Sequence, residues 1–199
     1  PGECGLLFKT QCGWELQEVF DIILVASGLS RRNFLIKSLI IYCSDYRNNA
    51  EKIARIFADK INAKLINIRD VSDIDVESYN LIGFGSGVYR ESLSSKLFKL
   101  VDKLDLKGKN VFVFSTSGVG MKFYNNELIR ILVSKGAIIR GGFACKGSFV
   151  AREFTNKKLF DIIGKLSQGH PNDKDFKKAE RFIERVVTQK SLSKNKKLK

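Results

Sequence analysis

The stretch Leu81–Tyr89, LIGFGSGVY, limits what this chain can fold into more than any other. It starts as an unbroken apolar run and ends in alternating glycines, Gly83, Gly85 and Gly87, with Tyr89 at the tip. A continuous apolar run of this length reads as a strand buried on both faces. Glycines at a strand exit let the backbone turn sharply and let a flat ligand approach, with Tyr89 as a face to lie against it. The layout recurs twice. IIYCS at 40–44 opens into DYRNNA, and VFVFS at 111–115 opens into TSGVG. Three such strands predict one ligand held by three loops at a single sheet edge.

The segments between these runs carry helical spacing. Ile53, Ala54, Ile56, Phe57 and Ile61 share one face, with Asn48 or Asn49 placed to cap the helix start. Leu93, Leu97, Leu100, Val101 and Leu104 mark a second helix, and Leu128, Ile129, Ile131, Leu132 and Val133 a third that stops at Gly136. A short helix is expected at 159–166. Pro171-Asn172-Asp173 opens a last one, where Asn172 and Asp175 form a capping box with Asp in place of Glu. Strands are expected near 37–43, 63–68, 81–86, 110–115 and 137–144, while the polar residues 71–79 read as a surface crossing. Strands alternating with helices define an α/β fold: a three-layer, doubly wound, five-stranded parallel sheet of order 2-1-3-4-5. Ligands in such sheets bind beyond the carboxyl ends of the strands at the switch point, which here falls between strands one and three. Residues 1–35 read as a leader or accessory segment, 36–189 as the domain, and 190–199 as a basic disordered tail.

Charge is the unusual feature of the composition. Lys and Arg number 35 against 21 Asp and Glu, a formal +14, while residues 1–35 come to −1. The surplus therefore lies on the domain as well as on the tail, and such a surface favours acidic partners. Basic stretches interleaved with aromatics, as single-strand binders use, are missing, so nucleic acid is an unlikely partner. The four cysteines form no CxxC and predict neither zinc nor a redox pair; a cytoplasmic setting fits them. No apolar run reaches membrane-spanning length. The glycine spacing is neither GxGxxG nor a P-loop.

At the three loops the chain resembles the flavodoxin-like family, over about residues 36–188. The resemblance rests on Ser44-Asp45-Tyr46-Arg47-Asn48-Asn49-Ala50-Glu51-Lys52, on Ile82 through Tyr89, and on Phe114-Ser115-Thr116-Ser117-Gly118. Gly142 through Gly147 and Gly169-His170-Pro171-Asn172 add to it. It implies that FMN is the cofactor, with its phosphate on the first loop and its ring between the other two. The implied contacts are Ser44, Tyr46, Arg47, Asn48, Asn49 and Ala50 on the first loop, and Gly85, Ser86, Gly87, Val88 and Tyr89 on the second. Ser115, Thr116, Ser117 and Gly118 belong to the third. Tyr124 either reaches the flavin or packs at a helix start. Amides at a helix N-terminus favour a phosphate dianion, so the chemistry agrees with the resemblance. The chain departs from the family's Gly-Asn-Thr at Asn48 and Ala50, losing a hydroxyl and a permissive backbone position. Asn tolerates left-handed geometry, and Arg47 can offset the lost donor by charge-assisted bonding.

The resulting expectation is an electron-transfer protein of flavodoxin type that serves an acidic redox protein or a small electron acceptor. A flavin-dependent NAD(P)H or quinone reductase and a cofactor-free binding module with a basic surface are the alternatives. His170 reads as a turn residue before Pro171 rather than a proton donor. Cys145 reads as a packed thiol rather than a reactive one.

Overall fold

The computed structural model describes residues 36–71, 74–89, 91–150 and 158–195; the leader expected at 1–35 lies outside them. Its strands are β1 (Ser38–Cys43), β2 (Lys64–Asn67), β3 (Leu81–Tyr89), β4 (Ser92–Leu93), β5 (Asn110–Ser117) and β6 (Ile138–Lys146). Its helices are α1 (Asn49–Ile61), α2 (Ser95–Lys103), α3 (Asn126–Ser134), α4 (Lys158–Ser167) and α5 (Asp173–Asn195). The sheet runs β2-β1-β3-β5-β6, all parallel, with β4 turned back antiparallel on β3. Apart from that added hairpin, this is the expected doubly wound order.

Every residue of β1 is buried, because side chains alternate between two cores. Ile40 and Tyr42 enter the core under α1 and α5, and Leu39 and Ile41 enter the one under α2 and α3. The first core is aromatic. Phe57 of α1 meets Phe112, Phe114 and Phe143 edge to face, with centroids 5.2 to 5.6 Å apart. The second is aliphatic, built on Ile82, Val111, Val113, Leu97 and Leu132 with Phe84. Ile74 and Val76 are buried in it, so the segment expected to cross the surface contributes core residues instead. Charged neighbours in the sequence hide those two positions.

The Asn172 cap forms as expected. Asn172 Oδ1 accepts the amides of Lys174 (3.1 Å) and Asp175 (3.3 Å), and Asp175 Oδ2 accepts the amide of Asn172 (3.2 Å). Helix α5 then continues through Asn195, into the stretch expected to be a tail.

The glycine-rich exit of the third strand is itself strand. β3 extends through Tyr89 before the chain turns into β4. Gly83 and Gly85 lie opposite Phe112 and Phe114 in register, and those rings cover them. A Cβ at either position would lie 2.3 Å from the facing ring. These two glycines make room for core aromatics, not for a ligand.

Candidate functional site

The carboxyl ends of β1, β3, β5 and β6 converge, tied together by hydrogen bonds. The first loop, Ser44–Asn48, leads into α1 through two left-handed residues, Arg47 (φ 52°) and Asn48 (φ 53°). Asn48 adopts the geometry its side chain tolerates, whereas Arg47 adopts it without that advantage. The Asn48 side chain makes no capping bond; its carbonyl accepts the Lys52 amide at 3.0 Å.

Asn49 and Ala50 are buried. Asn49 Nδ2 donates to the Ser148 carbonyl at 2.9 Å, and its Oδ1 is buried with no partner. Tyr46 reaches in the same direction: its hydroxyl accepts the Val150 amide at 3.2 Å and Arg47 Nε at 3.1 Å. The guanidinium of Arg47 lies 5.4 Å from the Tyr46 ring centre. Asn49 and Tyr46 thus bind the first loop to the exit of β6, residues 147–150. The expectation of three loops missed this fourth element, although Gly142 through Gly147 signalled it through the family resemblance.

Asp45 is the pivot between the first and second loops. Its amide donates to the Tyr89 hydroxyl at 2.9 Å, and its carboxylate pairs with Arg69, just beyond β2. The Tyr89 side chain folds back over its own strand, so that a Cβ on Gly87 would meet the hydroxyl at 3.0 Å. Burial, with the nearby Cys43 adding to it, pushes the Tyr89 phenol up to about 12; Arg69 and the Tyr46 amide pull the other way. Arg69 was not among the expected site residues, because only the fold brings it near the first loop.

Gly85 and Ser86 sit inside the sheet. Ser86 is fully buried, donates to the Gly87 carbonyl (2.6 Å) and accepts the Ser94 amide (3.0 Å), which fastens the β4 hairpin. Val88 pairs with Leu93 and packs against the aliphatic core.

On the third exit Ser115 is fully buried and its Oγ lacks a partner. Thr116 is buried, and Ser117 Oγ accepts the Gly120 amide at 2.8 Å. The Ser117 carbonyl accepts the Gly147 amide at 2.9 Å, tying this exit to β6 as well. Gly118 is covered: a Cβ there would lie 2.2 Å from Phe149 and 3.1 Å from Ile163. Tyr124 lies against Phe123 (centroids 4.0 Å); burial and Glu91 raise its phenol.

His170 Nδ1 pairs with Asp175 Oδ2 at 2.5 Å, and the His170 carbonyl accepts the Ser148 amide, a turn role as expected. Cys145 is buried, and burial with Asp175 beside it pushes its thiol well above the usual range, which fits packing rather than reactivity. Among the described residues no group of His, Cys, Asp and Glu is placed to hold a metal, and no helix is long and apolar enough to cross a membrane.

A doubly wound sheet of this order, with its loops gathered at the switch between β1 and β3, defines a flavodoxin-like protein. The model of the flavodoxin domain family matches residues 39–139. An uncharacterized protein of Methanocaldococcus jannaschii is 40% identical over 153 residues, spanning 76% of this chain and 98% of that one. The chain belongs to the flavodoxin domain family. Among solved structures, a flavodoxin from the domain Archaea superposes with a TM-score of 0.56 at 14% identity, over 76% of this chain and 97% of that one. Flavodoxin 2 of Bacillus cereus gives 0.56 at 19% identity, over 77% and 99%. At such identities these structures share the fold.

Proposed function

We infer that this protein binds FMN at the gathered strand exits and carries electrons between redox partners. One observation carries the reading. The Asp45 amide, in the loop that leads into α1, already holds an acceptor oxygen at 2.9 Å beside Gly87 of the neighbouring strand. A phosphate oxygen asks for the same donor and the same small neighbour. The residues therefore fit the group. Amides of the Ser44–Ala50 loop would take the phosphate, with Arg47 and Arg69 adding charge. Gly87, Val88 and Tyr89 would border the ring on one side and Ser115 through Gly118 on the other. Asn49, Gly85 and Ser86 contribute by building the loops. FMN, when bound, supplies one- and two-electron chemistry; the chain positions it and limits water around it.

The partner surface in this reading is basic. Beside β6 a groove of about 770 Å³ begins at Lys122, on the turn after the third exit, and runs along Lys178, Arg181 and Arg185 of α5. Its acid, Glu184, is engaged by Lys60 at 2.8 Å. An acidic redox protein docking there would associate faster at low salt.

A visible absorption spectrum of the purified full-length chain, before and after adding FMN, tests the reading. Bound flavin should shift and structure the spectrum and quench flavin fluorescence. A well-folded protein that takes up no FMN would overturn it, and salt-dependent binding of nucleic acid by that colourless protein would favour the binding-module alternative.

A further inference from the structure

We propose that the Tyr89 hydroxyl is a place-holder for the phosphate of the flavin nucleotide: it occupies the Asp45 amide while the site is free, and the dianion must displace it to bind. The proposal rests on the FMN reading above and adds to it a competition built into the chain. Three observations support it. Tyr89 sits at the end of a long strand, yet its side chain turns back across Gly87 to the first loop and donor meets acceptor at 2.9 Å. The Tyr46 backbone favours negative charge at the same oxygen. A backbone amide and a cation beside one oxygen suit an anion better than a neutral phenol.

Arg69 completes the arrangement. Held against Asp45, its guanidinium lies close enough to the Tyr89 oxygen to favour negative charge there. A dianion arriving at that oxygen's position would share this guanidinium with the Asp45 carboxylate, whereas a neutral hydroxyl draws little on its charge. Tyr89 keeps the Asp45 amide paired until then.

The decisive variant is Tyr89→Phe, which keeps the ring and removes the oxygen. Flavin-free full-length protein, wild type and variant, is titrated with FMN and, separately, with riboflavin, which lacks the phosphate. Tyr89→Phe should bind FMN about fivefold more tightly, the net weight of one hydrogen bond, and riboflavin unchanged. Unchanged or weaker FMN binding by the variant overturns the proposal. Equal tightening of both ligands also overturns it, because the hydroxyl would then be obstructing the ring and not the phosphate. If neither protein binds FMN, the FMN reading itself fails and the place-holder with it. A second measurement uses the wild type alone: inorganic phosphate should move the Asp45 amide proton and the Tyr89 ring signals together in a magnetic resonance titration. Movement of neither at saturating phosphate overturns the competition without recourse to a variant.

Discussion

Gly85 and Gly87 stand two residues apart on one strand, on the same face of the sheet, and serve opposite ends. Gly85 is covered by Phe114 from the next strand, with ring atoms 2.3 to 2.4 Å from where a Cβ would sit. Gly87 is covered by Tyr89 from its own strand, at 3.0 Å and by the far end of a side chain. The first contact is rigid, because Phe114 is wedged against Phe57 with centroids 5.2 Å apart. The second can yield, because it involves only the far end of a side chain at a half-buried strand end. One glycine motif thus passes from core to site within a single step of the pleat, and the neighbour that covers each residue decides its role, not its position in the motif.

Substitution at Gly85 should show the larger effect. Gly85→Ala drives a methyl into Phe114 and should cost about 3 kcal/mol, the upper range for overpacking a filled core. Denaturant unfolding measures it. Phe114→Leu introduced alongside should recover part of that loss, since two residues in contact couple. Additive losses would mean that Phe114 is not what Gly85 accommodates.

Gly87→Ala sharpens the contrast from the other side. Its Cβ meets a hydroxyl that can move, so stability should fall by less than about 1 kcal/mol. The same unfolding experiment decides. A loss matching that of Gly85→Ala would make Gly87 a core glycine too and would remove the basis for a mobile Tyr89.

The same contrast explains what the sequence alone makes legible. Strand order, helix faces and the Asn172 cap follow from local pattern: runs buried on both faces lose their polar residues, and a cap needs only side chains three apart. The gathering of the loops follows from topology. The division of labour among the glycines does not, because it depends on the register that sets Gly83 opposite Phe112 and Gly85 opposite Phe114. Glycine beneath a ligand and glycine beneath a neighbouring ring read alike in one dimension. Asn49 poses the same problem: it looks like a loop donor and instead turns inward to Ser148, a partner 99 residues away. Arg69 is hidden for the converse reason, since nothing local to it signals Asp45 or Tyr89.

The last effect depends on pH and bears on whether Tyr89 is as enclosed as its contact with Asp45 implies. Two influences oppose each other at its oxygen. Burial disfavours the phenolate, whereas Arg69 and the Tyr46 amide favour it, and burial prevails, lifting the phenol from 10.0 to about 12. A phenol raised on folding binds its proton more tightly in the native state than in the unfolded one. Its contribution to stability is therefore whole below the unfolded value and declines as pH rises from about 10 towards about 12. Tyr42 and Tyr124 are raised by burial too, so the wild-type slope contains their share. Tyr89→Phe isolates the one of interest. The difference in unfolding free energy between wild type and variant should be level up to about pH 9.5 and shift against the wild type by about pH 11.5. Ionisation of lysines is common to both proteins and cancels. A difference that stays level across the range would mean that the Tyr89 hydroxyl is open to water, and an oxygen open to water would have no hold on the Asp45 amide worth displacing.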